Sequence, residues 1–263
     1  MPDFLTIVGR WWKATLGLMI AVMIVTGVAL AFQKKLYVST VTALPANSVA
    51  YDKGNIFNKN IQELYPAIGL ADELDRVVGT AKLDTLYLTL VRENNLVEHY
   101  DIKPHPHAIY WAMERLKKNS SVAKSEYGEL KIKMWDEDPT LAAAMANRFF
   151  DDLNALHQHL QSEGNAVVLR RLEEEYNAAK IRTDSSNIRT TSSTVIEAQQ
   201  FENLIQEYRI TVAAKPPVLL AVERARPGYY VDRPNRPVVL AVALFAALLL
   251  GILLAVILEK RER

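Results

Sequence analysis

The chain has 263 residues, half of them apolar, with a formal net charge of +1. That length suits one ordinary domain or two small ones, and the even charge balance offers no basic bulk for gripping nucleic acid. The absence of cysteine permits an oxidising compartment.

Taken in order, the first signal is residues 14–32, "ATLGLMIAVMIVTGVALAF", an uncharged run close to the roughly 20 residues a membrane helix needs. It lacks a small-x-small cleavage site, and its apolar core is long for a signal peptide, so it reads as a retained span. Trp11 and Trp12 suit an interfacial position just before it. Residues 36–44, "LYVSTVTAL", alternate and are rich in β-branched side chains, which predicts a strand leaving the span and ending at Pro45. Residues 46–54 read as loop, and 55–80 as short helices broken at Pro66 and Gly69. Residues 83–95 place Leu83, Leu86, Leu90 and Val91 on one helical face, and 107–119 do the same with Ile109, Met113 and Leu116. Residues 121–135 predict two short strands around a Tyr127–Gly128 turn, with Leu130, Ile132 and Met134 alternating against Lys131, Lys133 and Trp135.

Asp138 followed by Pro139 is a helix cap and a first-turn proline. From there to about residue 181 the spacing of Leu141, Met145, Phe149, Leu153, Leu156 and Leu160, resumed by Val168, Leu172, Tyr176 and Ala179, predicts one long helix, with Gly164-Asn165 as the place where it could break. Polar residues 182–194 read as a hairpin tip or loose connection. A second amphipathic helix follows over 195–212, with Ala198, Phe201, Ile205, Tyr208 and Val212 on one face. Eighteen or so helical residues return only about 27 Å, so the polar stretch is expected to run extended or the long helix to break. Residues 217–225 predict a last strand, able to pair with 36–44 because both lie next to spans. The second uncharged run, residues 238–258, completes the chain's membrane signals.

Just before that run, "KPPVLLAVERARPGYYVDRPNRP" (215–237) holds five of the eleven prolines: Pro216, Pro217, Pro227, Pro234 and Pro237. Proline fixes φ and removes a donor, so the segment is expected to form a semi-rigid, extended strut of polyproline type over 227–237. The strut is either a relay to the span or a passive spacer. The expected organisation is a stub (1–13), a first span (14–32), a large extramembrane domain (33–237), a second span (238–258) and a stub (259–263). Within the domain, 33–137 and 213–226 form a base and 138–212 a helical arm. Two spans put both termini on one side. Lys and Arg near the spans decide the orientation little, and long loops translocate largely regardless of charge. With stubs this short, residues 33–237 and the two spans are expected to carry whatever the chain does.

This arrangement resembles the Wzz family of polysaccharide chain-length determinants, the polysaccharide co-polymerases. The resemblance runs from "KKLYVSTVTALP" through "LVRENNLVEHYDI" and "DPTLAAAMANRFFDDL" to "PPVLLAVERARPGYYVDRPNRPVV". Its specific parts are the DP-x-x-A-x-x-x-AN pattern and the spaced prolines ahead of the second span. The resemblance implies an α+β protein of the bacterial inner membrane, multi-pass, whose two transmembrane helices flank a periplasmic α/β base with a long protruding helical arm. It implies ring-shaped homo-oligomers, commonly octameric. These act with a separate membrane polymerase on a lipid-linked polysaccharide and set the modal length of O-antigen (lipopolysaccharide), capsule or exopolysaccharide. The partners expected are thus other copies of the chain, the polymerase, the polysaccharide and membrane lipids, with no nucleic acid. The arm is shorter than in many members, and no G-x-x-x-x-G-K-[ST] loop marks a fused kinase.

No catalytic constellation stands out, and neither enzyme activity nor a cofactor is expected. His105-Pro106-His107 and His157-x-His159 lack ligand spacing and read as surface histidines. Asp136, Glu137 and Asp138 read as capping carboxylates rather than an acid–base set, and Arg170 to Glu175 as a solvated face or inter-subunit ion pairs. The stripe Met145, Phe149, Leu153, Leu156 and Leu160 is expected to pack the arm and the oligomer, since a lone helix pair cannot bury it. Small-residue pairs Gly17/Ala21, Gly27/Ala31 and Ala247/Gly251 are compatible with close helix approach. A two-span sensor is disfavoured by the short tail, and a periplasmic enzyme by the missing site. An adaptor that activates a separate cytoplasmic tyrosine kinase in capsule or exopolysaccharide export is the alternative function.

Overall fold

The computed structural model describes residues 10–46, 71–185 and 192–262. The expected loop from residue 47 onward, and the helices broken at Pro66 and Gly69, fall on residues 47–70 and so lie outside the described part. The protein is mixed helix and sheet, with an apolar helix near each end and a long helix in the middle. It divides into two compact units. One contains the residues up to Val38, Trp135–Ala142 and Pro227 onward; the other contains Ser39–Met134 and Ala143–Arg226.

The first unit holds helix α1 (Trp12–Phe32) and helix α8 (Arg236–Glu262). Both are long and apolar enough to cross a membrane. They pack on each other through small residues of α8. Ala247 and Ala255 are buried, and a Cβ added at Gly251 would lie 2.4 Å from the Thr15 methyl carbon. Thr15 Oγ1 lies 3.3 Å from its own-helix Trp11 carbonyl and 3.4 Å from the Gly251 carbonyl. At one end of the pair the Trp11 indole donates to Glu259 (3.3 Å), and Arg10 lies 3.6 Å from the same carboxylate. Ala247 and Gly251 therefore serve contact within the chain, whereas Gly17 and Gly27 have open space around them.

The second unit is built on strands in the order β2-β3-β1-β4. Strand β1 (Leu36–Pro45) pairs antiparallel with β4 (Leu219–Glu223), Ala43 opposite Ala221 and Leu44 opposite Leu220, as the sequence led one to expect. Strands β2 (Ser120–Lys124) and β3 (Leu130–Asp136) form a hairpin, Val122 opposite Ile132, whose turn is opened by Gly128 at φ 76°. Leu130, Ile132 and Met134 point inward and are fully buried.

Four helices, α2 (Ala71–Thr80), α3 (Asp84–Glu93), α4 (Leu96–His99) and α5 (Ala108–Lys118), precede this hairpin. The periodicity located their inner faces closely but not perfectly. Leu86, Leu90, Val91, Met113 and Leu116 are buried, yet Leu83 is 48% exposed and Ile109 37% exposed. Leu83 precedes the first turn of α3 in extended geometry, and Ala108 and Ala112 occupy the inner face of α5 in place of Ile109.

Helix α6 (Pro139–Ser185) runs unbroken through Gly164 for 47 residues, about 70 Å at 1.5 Å per residue. Helix α7 (Ser192–Ala214) returns over 23. The expectation of a largely extended polar connection is corrected here. Arg182–Ser185 and Ser192–Thr194 are helical, so the return helix is longer than its apolar spacing indicated. Arg209 donates to Glu173 (2.6 Å) and Tyr176 to Glu202 (2.5 Å), which ties α7 to α6. Glu173 thus has a partner within the chain. Ile205 is the buried residue of the α7 stripe, Phe201 is 36% exposed, and the surroundings of the Ala198 side chain lie outside the described part.

Along the apolar stripe of α6, Met145, Phe149 and Leu153 are fully buried inside this chain, and the Phe149 ring meets Tyr87 at 5.2 Å. They are core of this chain, which bears out the packing of the helix itself. Leu156 is half-buried, and Leu160 is 51% exposed.

Candidate functional site

The residues from Trp135 to Asp138 form a junction at the end of β3 and together serve three elements of the first unit: Trp135 meets β5, Glu137 the exit of α1, and Asp136 and Asp138 the start of α6. Trp135 breaks the inward–outward alternation of its strand: the expected outward position is only 6% exposed. Its cover comes from strand β5 (Val231–Arg233). The indole Nε1 donates to Asp232 Oδ2 at 2.6 Å, and the Arg233 guanidinium sits 3.8 Å from the ring centroid. One face of the ring thus meets a cation while its edge N–H meets an anion, the pairing that the ring quadrupole favours. Glu137 accepts from Lys34 at 2.7 Å. Asp136 is 1% exposed, and its Oδ1 accepts the Asp138 amide (3.0 Å). Asp138 caps α6, with Oδ1 taking the Thr140 amide at 2.8 Å and the Thr140 hydroxyl at 2.6 Å. Pro139 follows as the first residue of α6, where a missing N–H costs nothing.

Lys34 follows α1 by two residues, and Arg233 precedes α8 by three. The junction therefore holds the exit of one apolar helix, the entrance of the other and the start of the long helix. The Lys34–Glu137 pair is exposed and contributes about 0.2–1 kcal/mol at most. Burial of Trp135 is the larger part, because aromatic side chains dominate such contacts.

The proline-rich segment differs from the expected extended strut. Val231–Arg233 pair with the start of β1, Tyr37 opposite Val231 and Leu36 opposite Arg233. Arg236 and Pro237 open α8, and Pro234 follows a cis bond to Arg233. Ladder bonds and Trp135 hold the chain where proline spacing alone indicated a semi-rigid strut of polyproline type. Gly228 is needed here: a Cβ would come 2.5 Å from the Val38 carbonyl oxygen. Pro227 lies just before it, and Tyr229 and Tyr230 are exposed.

In the second unit, Pro216 and Pro217 lead into β4. Asn154 Oδ1 accepts the amides of Val218 (3.1 Å) and Leu219 (3.0 Å), anchoring that entry on α6. Asn147 clamps Ala225 in both directions, Nδ2 to the carbonyl and Oδ1 from the amide, each at 3.0 Å. This gives the final Asn of the DP-x-x-A-x-x-x-AN pattern a physical task. Arg224 adds an ion pair to Asp151 (2.8 Å) and lies over Phe150 at 5.0 Å.

Sequence reasoning reached Asp138 and Pro139, and missed Trp135, Asp232, Arg233, Gly228 and Asn154. The one available signal was a tryptophan at an outward strand position. His105 stacks on Trp111 (4.5 Å) and, like His107, is exposed. His157 is not a surface histidine. It is half-buried, its Nε2 lies 2.6 Å from Thr80 Oγ1, and burial lowers its pKa. Among the described residues no three His, Asp or Glu side chains converge as a metal site would require.

No protein-family model matches the chain, and no curated protein matches it. Among solved structures, one described as "full-length bacterial polysaccharide co-polymerase" aligns with 100% of this chain and 98% of its own, at 11% identity and a TM-score of 0.41.

Proposed function

We propose that the chain is a non-catalytic regulator of polysaccharide chain length in the bacterial inner membrane. It works as a homo-oligomer beside a separate polymerase, with residues 33–237 in the periplasm. The observation that carries this reading is the junction at Trp135–Asp138, where both apolar helices and the start of α6 meet. A regulator acting on a membrane polymerase through an extramembrane domain needs such a mechanical link, and an isolated anchor does not. The order of elements agrees with that implied by the sequence resemblance, from apolar helix and strand through long helix, return helix and strand to proline-rich segment and apolar helix.

The test is deletion of the gene and complementation with the intact chain, followed by a gel of surface polysaccharide. Loss of a modal length, restored by the intact chain, is expected. A length distribution unchanged by the deletion overturns the proposal.

A further inference from the structure

Away from the junction, the second unit contains a small pocket with cationic and hydroxyl lining. A cavity of about 330 Å³ is lined by Lys82, Tyr87, Lys117, Ser120, Ser121 and Val122. Four elements supply these groups. Lys82 lies in the turn between α2 and α3, Tyr87 on α3, Lys117 on the last turn of α5, and the serines and Val122 on β2, the terminal strand of its sheet. Their sequence separation hides them from any local motif.

The chemistry favours negative charge. Lys82 is exposed at the rim and makes no ion pair among the described residues. The Lys117 ammonium pairs with Asp84 and lies 5.4 Å from the Tyr87 ring centroid. One carboxylate against two ammonium groups leaves the pocket a net positive charge. The hydroxyls can reorganise to meet an acceptor. Ser120 Oγ lies 3.1 Å from the Tyr87 hydroxyl and 3.0 Å from the Lys117 carbonyl, and a hydroxyl has only one proton to give. When Ser120 donates to Tyr87, the phenol proton is free for a ligand oxygen; when Ser120 donates to the carbonyl, Tyr87 donates back to Ser120. Tyr87 is 4% exposed, and burial raises its pKa, so this donor stays protonated at neutral pH.

We propose that this pocket binds an oxyanion, a phosphate or carboxylate, with Lys82 and Lys117 neutralising it and Tyr87, Ser120 and Ser121 donating to its oxygens. The volume lies at the small end of ligand sites, enough for a sugar unit bearing the anion. Binding itself does not rest on the proposed function. Only the source of the anion does, a free ion or a group carried on a glycan.

Calorimetric titration of the full chain in lipid nanodiscs tests this with inorganic phosphate, glucuronate and glucose. Saturable binding of either oxyanion, weakening as salt is raised and absent for glucose, is expected. Lys82→Gln should weaken it at least tenfold, Tyr87→Phe should weaken it while keeping the ring contact with Phe149, and Lys103→Gln on another surface should leave it unchanged. Phosphate binding without glucuronate assigns a free anion, and binding of both assigns a sugar-borne one. Absence of saturation by either, or equal affinity in Lys82→Gln at unchanged unfolding temperature, overturns the proposal. A length distribution unchanged by deletion of the gene, with intact oxyanion binding by the purified chain, would count against the regulatory reading alone.

Discussion

At the scale of single residues, polar side chains that fasten backbone explain more of this protein than isolated charges do. Asn147 and Asn154 each accept or donate to strand-edge backbone from a helix, and Asp138 satisfies first-turn donors of α6. Ordinary hydrogen bonds of this kind contribute about 0.5–1.5 kcal/mol, and leaving a buried partner unmet costs more. His157 belongs to the same class but adds a pH dependence. Thr80 Oγ1 lies 2.9 Å from the Val77 carbonyl and so can spend its proton there, which leaves it an acceptor for His157 Nε2–H. Burial holds the imidazole pKa below its ordinary value of 6.5. The unfolded chain therefore takes up the proton first as pH falls. The stability tied to neutral His157 is full above about pH 6.5 and declines as pH drops toward the depressed folded value. The unfolding temperature should fall between pH 7 and 5, and His157→Gln, which retains a donor toward Thr80, should flatten that fall. An unchanged slope in the variant would mean that other groups carry it.

At the scale of elements, the sequence was informative wherever one periodicity ran undisturbed. Strand β1, the β2–β3 hairpin, its Gly128 turn and the start of α6 were all legible, because each depends on alternation, a turn glycine or a cap. Gly164 was the harder case. A glycine inside a helix weakens it by roughly 0.5–1 kcal/mol relative to alanine, which a long helix with tertiary support absorbs. The junction was not legible, since Trp135 and Asp232 lie 97 residues apart and neither sits in a local pattern. The two glycines make opposite predictions. Gly164 has nothing within 4 Å of an added Cβ, so Gly164→Ala should raise stability by about 0.5–1 kcal/mol. At Gly228 the added carbon meets Val38 backbone, so Gly228→Ala should displace β5 and lower the hydrogen-exchange protection of the Tyr37 and Val231 amides. Equal effects of the two substitutions would show that the contact at Val38 does not constrain the segment.

At the scale of the whole molecule, the proposed oligomer and the proposed coupling call for different variants. Phe149 is unsuited to probing assembly, because truncating a fully buried phenylalanine costs about 3–5 kcal/mol of folding stability whatever the subunits do. Leu160 is half exposed on α6, and Leu160→Glu leaves that core intact. If neighbours cover the outer part of the stripe, the variant should have a smaller particle mass in detergent at an unchanged unfolding temperature; an unchanged mass would place the subunit contact elsewhere. Coupling is addressed by Asp232→Ala combined with Arg233→Ala. The pair removes the anion from the Trp135 indole N–H and the cation from its face, and leaves α1, α8 and the proline positions untouched. Both side chains are exposed, so water replaces much of what they lose, and the stability change should stay near 1 kcal/mol. Protein level and oligomer size should then be normal. The polysaccharide ladder should nevertheless broaden, because the entrance of α8 would no longer be fastened to the residues that begin α6. Pro227→Ala with Pro234→Ala and Pro237→Ala provides the contrast. If the segment is held by Trp135 and the β5 ladder, losing the prolines disturbs length control less than losing Asp232 and Arg233; if it acts as a stiff rod, the order reverses. A normal ladder from the Asp232/Arg233 variant, at normal abundance and assembly, would reduce the junction to local packing and remove it from the mechanism.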